Sequence, residues 1–262
     1  MGSEKFEEIS LLCQLGINRD TLLKKIVGES NFENYTIEFQ DKLYYKIYPV
    51  KGYKEKEPAN KDDYFIKDMY DEKLRKNFGW RVTLRPDQKG KKYEITPELR
   101  DRIEDKSKSV LRIDGVHAGH LLGKVFYKNN YIPLMKCGSK DVYFRKSKIG
   151  KKNKYNIYTQ SKNANCNSKD QRGQNYYEGK IDKYLERSSD GIMIYYEVEA
   201  IFLNKENKVP IGNRIKAELI STGNKNNVTN EEFEKIHVFI PNIAYDEKSG
   251  KFSFVNGWDI PD

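Results

Sequence analysis

The sequence of 262 residues predicts an α+β fold. Strand-like segments and helix-like segments follow one another without the regular strand–helix–strand alternation that is typical of a parallel sheet. The chain contains no internal repeat, and 19 tyrosines and 12 phenylalanines supply bulky side chains for strands and for a core. A chain of this length holds one large domain, or one domain with a small extension.

The N-terminal segment predicts two short helices. The first is indicated by apolar side chains at helical spacing, namely Phe6, Ile9, Leu12 and Cys13. The second runs from Asn18 to Gly28 around Leu22, Leu23 and Ile26.

A hairpin is predicted next, because YTIEF and LYYKIYP alternate in polarity and are joined by Gln40-Asp41-Lys42. The polar run KGYKEKEPANKDD then indicates a linker or long loop. We therefore predict an N-terminal extension over residues 1–60 and a main domain over residues 61–262.

The main domain is predicted to mix strands and helices. Strands are expected at WRVTL, YNIYTQ, GIMIYYEVEAIF, NRIKAELIS and KIHVFIP. A loop and a short helix at RPDQKGKKYEITPELRDRIEDK precede the apolar stretch SVLRI. The clearest helix is GQNYYEGKIDKYLER, whose apolar stripe comprises Tyr177, Ile181, Tyr184 and Leu185.

The charge distribution indicates a polyanion partner or a solvated loop, and the apolar runs and cysteine spacing argue against a membrane-spanning or disulfide-stabilised protein. The net charge is +9, and residues 140–190 carry 13 Lys and Arg against 6 Asp and Glu, concentrated in RKSKIGKKNKY. Such a basic segment attracts polyanions, or is a solvated loop. No run approaches the roughly 20 apolar residues of a membrane-spanning helix. Cys13, Cys137 and Cys166 form no CxxC pair and no disulfide framework.

The segment RIDGVHAGHLLGKVF contains two of the three histidines of the chain, His117 and His120. A neutral imidazole can take a proton from water near neutral pH. Downstream, Asn165 offers a hard carbonyl oxygen of the kind that Mg²⁺ prefers, and Glu178 can hold a metal-bound water. Together these groups can hydrolyse a phosphodiester.

The order and spacing of these residues resemble the DNA/RNA non-specific endonucleases of the His-Me finger (ββα-metal) superfamily, in particular the secreted streptococcal type. The family tetrad Asp-Arg-Gly-His matches His117-Ala118-Gly119-His120, and the family pattern Asn-Ile-x-x-Gln matches residues 156–160. The metal-binding asparagine falls on Asn165, and the acidic residue of the metal helix falls on Glu178. The flanking segments RVTL, VPIGNRIKAELIS and VFIPN also resemble family strands, so the likeness spans residues 79 to 257.

The resemblance implies a ββα-metal core on a mixed or antiparallel central sheet flanked by helices. It implies that His120 is the general base, that Mg²⁺, or Mn²⁺ in its place, binds Asn165 with Glu178, and that Gln160 and Asn156 brace the metal loop. Cleavage of DNA or RNA without sequence preference would leave 5′-phosphate and 3′-hydroxyl ends.

Two positions depart from the family pattern and remove positive charge. Ala118 replaces the signature arginine, and Asp182 stands where some relatives place an arginine one turn after the helix glutamate. The candidates to contact the substrate backbone in their place are Arg81, Lys124, Lys162 and Arg172. Lys180, Lys183 and Arg187 form a stripe roughly opposite Glu178 on the predicted helix, where solvent or distal DNA is expected.

His117 has three interpretations. It can stand in for the signature aspartate by bonding nearby backbone, contact the substrate, or bind a transition metal together with His120. His237 lies in a strand pattern and is assigned no chemistry. Tyrosines 176, 177, 195 and 196 can stack on bases, although core packing is the expected fate of most of them.

Three functional hypotheses follow. The leading one is a Mg²⁺-dependent non-specific nuclease acting on the DNA or RNA backbone. The alternatives are a non-catalytic nucleic-acid-binding module and a nuclease toxin that an immunity or inhibitor protein neutralises. The resemblance favours secretion after loss of a signal peptide, with a cytoplasmic location as the alternative, and no membrane partner is expected.

Overall fold

The computed structural model describes residues 8–55, 66–104, 116–137, 140–142, 156–188, 191–222, 233–246 and 251–255. The helices are Glu8–Leu15 (α1), Arg19–Val27 (α2), Pro97–Glu104 (α3), Lys124–Lys128 (α4), Lys162–Asn165 (α5) and Gln174–Glu186 (α6), with 3₁₀ turns at Phe32–Asn34 and Pro86–Gln88. The strands are Tyr35–Gln40 (β1), Tyr44–Pro49 (β2), Ile66–Asp71 (β3), Lys76–Leu84 (β4), Lys92–Glu94 (β5), Val116–His120 (β6), Leu134–Cys137 (β7), Lys140–Val142 (β8), Ile157–Ser161 (β9), Ile192–Ile201 (β10), Gly212–Thr222 (β11), Ile236–Pro241 (β12), Ile243–Asp246 (β13) and Lys251–Phe254 (β14).

A seven-stranded sheet forms the centre of the molecule, in the order β1-β2-β12-β11-β10-β4-β3. Every neighbouring pair in it is antiparallel. Three smaller sheets surround it: β5-β7-β8, β13-β14 and β6-β9. The α+β class and the strands predicted in the main domain are confirmed.

The central sheet separates two apolar cores, as expected when an element with two apolar faces must bury both. One core packs α6 and the β6-β9 ribbon against the sheet, through side chains that include Ile181, Tyr158 and Tyr196. The other packs α1 and α2 against the sheet, through side chains that include Leu22 and Phe239.

The N-terminal hairpin extends the central sheet. Its second strand pairs with β12, with Tyr45 opposite Phe239 and Lys46 opposite Val238. The predicted hairpin and both predicted helices are therefore present, and they pack on the sheet of the main domain. The proposed boundary near residue 60 stays a prediction.

The predicted apolar face of α1 was wrong. Leu11 and Leu15 are buried, whereas Ile9 is 69% exposed and Cys13 is exposed. The sequence of this eight-residue helix is EISLLCQL, so apolar side chains surround much of its circumference. Two stripes were compatible with helical spacing, and contact with the sheet selects the Leu11–Leu15 stripe.

Three segments that carry predictions lie outside the described residues: most of the polar linker, the stretch SVLRI and the basic run RKSKIGKKNKY. Within the described ranges, no helix combines the length and apolar character required to cross a membrane.

Candidate active site

The β6-β9 ribbon carries both histidines of the sequence motif. His117 is opposite Gln160, and His120 is opposite Ile157. Gly119 packs against the buried Gln160 side chain, and a Cβ at position 119 would overlap the Gln160 amide oxygen. The glycine of the motif is therefore a close-approach position that lets Gln160 lie across the strand.

Asn156 holds the chain that immediately follows His120. Its Oδ1 accepts a hydrogen bond from the Leu122 N–H at 2.8 Å, and its Nδ2 donates to the Leu122 carbonyl at 3.2 Å. The Asn156 carbonyl also accepts from the Leu121 N–H at 2.8 Å. These three bonds fix the exit of β6 relative to the start of β9.

His120 is the last residue of β6 and is half-buried. Burial lowers the pKa of its imidazole below the usual range, and the positive charge of Lys124 lowers it further. The imidazole is therefore neutral near pH 7, which is the form that can accept a proton.

Asn165 is the last residue of α5, a short helix capped by Ser161, whose Oγ accepts from the Ala164 N–H at 2.9 Å. The Asn165 Nδ2 lies 3.4 Å from the His117 Nδ1. When the His117 Nδ1 carries no proton, the Asn165 Nδ2 donates to it, and the Asn165 Oδ1 takes no part in the contact. The histidine in contact with Asn165 is His117, which is three residues before His120 on β6.

Glu178 lies on the buried face of α6. Its Oε1 accepts hydrogen bonds from the Gln174 Nε2 at 2.7 Å and from the Tyr196 hydroxyl at 3.1 Å. Burial nevertheless raises the pKa of Glu178 to about 7, because desolvation outweighs both donors. The carboxyl group lies against Gly123, where a Cβ would overlap it. Glu178 is therefore adjacent to the loop that leaves His120.

Gln174 is a site residue that the sequence did not reveal. Its Nε2 lies 2.8 Å from the carbonyl oxygens of both His120 and Leu121, in addition to its contact with Glu178. Its Oε1 accepts from the Asn213 Nδ2 at 2.7 Å. Gln174 thus joins α6, the end of β6 and β11. The available signal was its position one helical turn before Glu178.

Asn242 is a second residue whose role the sequence did not reveal, although it belongs to the segment VFIPN. It is buried, and its Oδ1 accepts from the Ser161 N–H at 2.6 Å. Its Nδ2 donates to the carbonyls of Thr159 and Pro210 at 3.1 and 3.0 Å. Asn242 therefore fixes β9 to the end of the central sheet.

The basic candidates occupy different environments. Lys124 and Lys162 are exposed at the first positions of α4 and α5, beside the two histidines and Asn165. Arg81 is paired with Glu197, with Nε and Oε2 2.8 Å apart. The helix residues Lys180, Lys183 and Arg187 are exposed, as predicted.

Arg172 and Asp182 are held by neighbouring residues. Arg172 donates to the Tyr44 hydroxyl at 3.1 Å and lies over the Tyr176 ring. Asp182 accepts a hydrogen bond from Asn129 at 2.6 Å. Asp182 therefore links α6 to the end of α4.

The donor set fits a weakly held, oxygen-preferring divalent cation. The described residues contain no group of three His, Cys, Asp or Glu side chains placed to bind a metal together. The Asn165 Oδ1 and the Glu178 carboxyl group are oxygen donors of the kind that Mg²⁺ prefers, and Mg²⁺ accepts few protein ligands while retaining several waters. A cation near Glu178 would also favour the ionised form of this buried acid.

Neither the protein-family models nor the curated proteins contain a match to this chain. Among solved structures, the chain is similar to NucA from Streptococcus agalactiae with a magnesium ion bound, at a TM-score of 0.53 and 16% identity over 88% of this chain and 93% of that chain. The metal-free NucA structure gives the same TM-score and identity. An extracellular endonuclease aligns at a TM-score of 0.38 and 18% identity. The NucA comparisons show that the two proteins share a fold, and the structural neighbours are nucleases.

Proposed function

We propose that this chain is a Mg²⁺-dependent, sequence-non-specific endonuclease that hydrolyses DNA or RNA phosphodiesters to 5′-phosphate and 3′-hydroxyl ends. The observation that carries the proposal is the Gln174 network, which ties the end of the His120 strand to the buried Glu178. In this interpretation, the β6-β9 ribbon with α5 and α6 is a ββα-metal core. The shared fold with NucA supports the proposal.

His120 is the general base in the proposed mechanism. Its neutral imidazole takes a proton from a water that attacks phosphorus, while the bond to the 3′ oxygen breaks on the opposite side and that oxygen takes up a proton from solvent. The bracing of Leu121 and Leu122 by Asn156 positions the imidazole, and the Gln160 side chain packs beneath the strand. Both residues thus position the base without contacting the substrate.

Asn165 and Glu178 would hold the cation, with Mn²⁺ able to replace Mg²⁺. When bound, the cation supplies stabilisation of the negative charge that develops on the phosphate and on the leaving oxygen. His117 holds the Asn165 amide, which leaves the amide oxygen for the cation. Lys124 and Lys162 are exposed beside these residues and would contact backbone phosphates.

A non-catalytic nucleic-acid-binding module is the second candidate. It is favoured by Ala118, which lacks the guanidinium of the family signature. Secretion and the lack of a membrane partner are parts of the proposal, and a nuclease toxin neutralised by an immunity or inhibitor protein is its alternative.

Cleavage assays separate the two candidates. Plasmid DNA and total RNA are incubated with the wild type in Mg²⁺, in Mn²⁺ and in EDTA, beside His120→Ala. We expect cleavage only with a divalent cation and a loss of at least about 10³-fold in His120→Ala. Plasmid DNA and RNA that both stay intact in Mg²⁺ and also in Mn²⁺ would exclude nuclease activity.

A matched pair of asparagine variants tests the cation site. Asn165→Ala should raise the Mg²⁺ concentration needed for half-maximal cleavage by at least about tenfold. Asn163→Ala, in the same helix, should leave this concentration unchanged. Equal effects of both substitutions would contradict the assignment of Asn165.

A further inference from the structure

A cavity of about 420 Å³ lies between β2, β12 and the first half of α6. Its size is that of a site for a small ligand or for one unit of a polymer. The walls include Tyr44 from β2, Tyr176 and Lys180 from α6, His237 from β12, and Arg172 from the loop before α6.

Arg172 is held in the cavity by aromatic rings. Its guanidinium carbon is 4.8 Å from the ring centre of Tyr176 and 5.6 Å from that of Tyr44. Glu234 interacts with this guanidinium electrostatically, but its direct ion pair within the described part of the chain is with Lys180. A guanidinium oriented by rings and free of a direct carboxylate contact is suited to bind a phosphate.

His237 borders the same cavity, and its ring packs edge-on against Tyr35. The residue is 8% exposed, and neither ring nitrogen has a hydrogen-bond partner among the described residues. Its Nδ1 is 3.8 Å from the Glu55 Oε1, which is beyond hydrogen-bond distance. Burial lowers the pKa of His237 to about 3, so the ring is neutral and offers one donor and one acceptor.

The charge of the cavity favours an anionic ligand. Four basic side chains line it against two acidic ones. One acid, Glu234, is paired with Lys180 at 2.8 Å, and the other, Glu55, is paired with Lys235. The Lys180–Glu234 pair is exposed to solvent and therefore weak, so Lys180 contributes with Arg172 and Lys46 to a positive local field.

The cavity and the candidate active site lie on opposite sides of α6. Tyr176 and Lys180 are one turn apart on one face, and Glu178 is about 160° away around the axis. Glu178 and the cavity face of α6 are therefore about one helix diameter apart, roughly 10 Å. Arg172 lies two residues before the start of α6.

We propose that this cavity binds one unpaired nucleotide of the substrate strand, with the base against Tyr44 and Tyr176 and the phosphate on Arg172 and Lys180. The proposal rests on the proposed nuclease function and deepens it, because a base paired in a duplex cannot enter the cavity. The enzyme would therefore prefer single strands and frayed ends over continuous duplex.

Binding is tested without cleavage. Fluorescence anisotropy measures the dissociation constants for a labelled oligothymidylate of ten nucleotides and for a labelled hairpin duplex. All proteins carry His120→Ala, and the buffer contains EDTA. Arg172→Gln should weaken single-strand binding about tenfold, and Lys180→Gln about threefold, while duplex binding changes less than about twofold. Lys183→Gln removes the same charge from the same helix outside the cavity and should change neither affinity.

Two results would overturn the proposal: unchanged single-strand affinity in both cavity variants, or an equal loss for single strand and duplex, which indicates general electrostatic attraction. Thymidine monophosphate is added as a competitor. Displacement of the oligonucleotide from the His120→Ala protein shows that a free nucleotide fills the cavity. If Arg172→Gln weakens single-strand binding but the monophosphate displaces nothing, the cavity binds a nucleotide only as part of a strand.

The cavity proposal can fail independently of the nuclease. Metal-dependent cleavage by the wild type, together with normal single-strand binding by both variants, would contradict only the cavity proposal. Arg172-dependent strand binding without any cleavage would contradict only the proposed catalytic function.

Discussion

Glu178 is a carboxylic acid whose ionised form is disfavoured by its surroundings. Gln174 and Tyr196 donate hydrogen bonds to it, yet burial holds its pKa near 7. Because the pKa in the unfolded chain is about 4.5, the folded state binds this proton more tightly. The stability from this group is complete below pH 4.5 and is lost as the pH rises to about 7.

The first prediction concerns this pH dependence. In EDTA, the free energy of unfolding of the wild type should fall by up to about 3 kcal/mol between pH 4.5 and pH 8 through Glu178 alone. Glu178→Gln cannot lose a proton and should lack this component. Urea unfolding at several pH values measures both proteins, and parallel curves would contradict the assigned pKa.

The second prediction compares Gly123, which packs against the Glu178 carboxyl group, with Gly179, the residue that follows Glu178 in α6. Gly123→Ala places a methyl group where the Glu178 carboxyl lies, so it should displace that group and lower cleavage at least about tenfold. Gly179→Ala meets nothing within 4 Å inside α6. It should retain activity and raise the free energy of unfolding by about 0.5–1 kcal/mol.

Cleavage rates and urea unfolding of the two glycine variants provide the comparison. Full activity in Gly123→Ala would show that the position of Glu178 does not matter for the reaction. Lost activity in Gly179→Ala would show that any added methyl group in this region is harmful.

At the scale of elements, Gln174 connects three parts of the chain that are distant in sequence. Replacing it with leucine leaves the His120 and Leu121 carbonyls and the Asn213 amide without this partner. Gln174→Leu should therefore reduce the free energy of unfolding by about 3 kcal/mol and lower cleavage together with it. Asn175→Leu changes the exposed neighbouring residue and should alter both quantities only slightly. Similar losses in the two variants would contradict the role of Gln174.

The individual strands and α6 were predictable because their patterns are local. Tyr177, Ile181 and Leu185 recur at helical spacing on α6, and all three are buried as predicted. The face of α1 was not predictable, since apolar residues lie around most of that helix.

The hydrogen bonds of the candidate site were less predictable than its elements. Spacing along the chain placed His120, Asn165 and Glu178 in one motif, but gave no sign that Asn165 contacts His117. Likewise, Gln174 and Asn242 act through partners far away in sequence. Buried amides of this kind have no periodic signature, because their positions depend on tertiary contacts.

At the scale of the whole molecule, the N-terminal segment is built into the central sheet. The edge of β12 is covered by β2, and α1 and α2 cover apolar side chains that include Phe239 and Ile211. Removal of residues 1–55 would expose this core and an unpaired strand edge.

The fourth prediction follows from this continuity. The full chain should unfold in one calorimetric transition, and a chain lacking residues 1–55 should be insoluble or should melt at least about 10 °C lower. Two separate transitions in the full chain would instead show that the N-terminal segment folds as an independent unit.

Chemical rescue of a histidine variant tests most directly whether the imidazole at position 120 is the base of a metal-dependent phosphodiesterase. His120→Gly should cleave plasmid DNA at least about 10³-fold more slowly than the wild type in Mg²⁺, and added imidazole should restore part of the rate at pH 7. The same imidazole should not restore Asn165→Ala, whose base is intact. Cleavage by His120→Gly at the wild-type rate, or rescue of both variants to the same extent, would contradict the account.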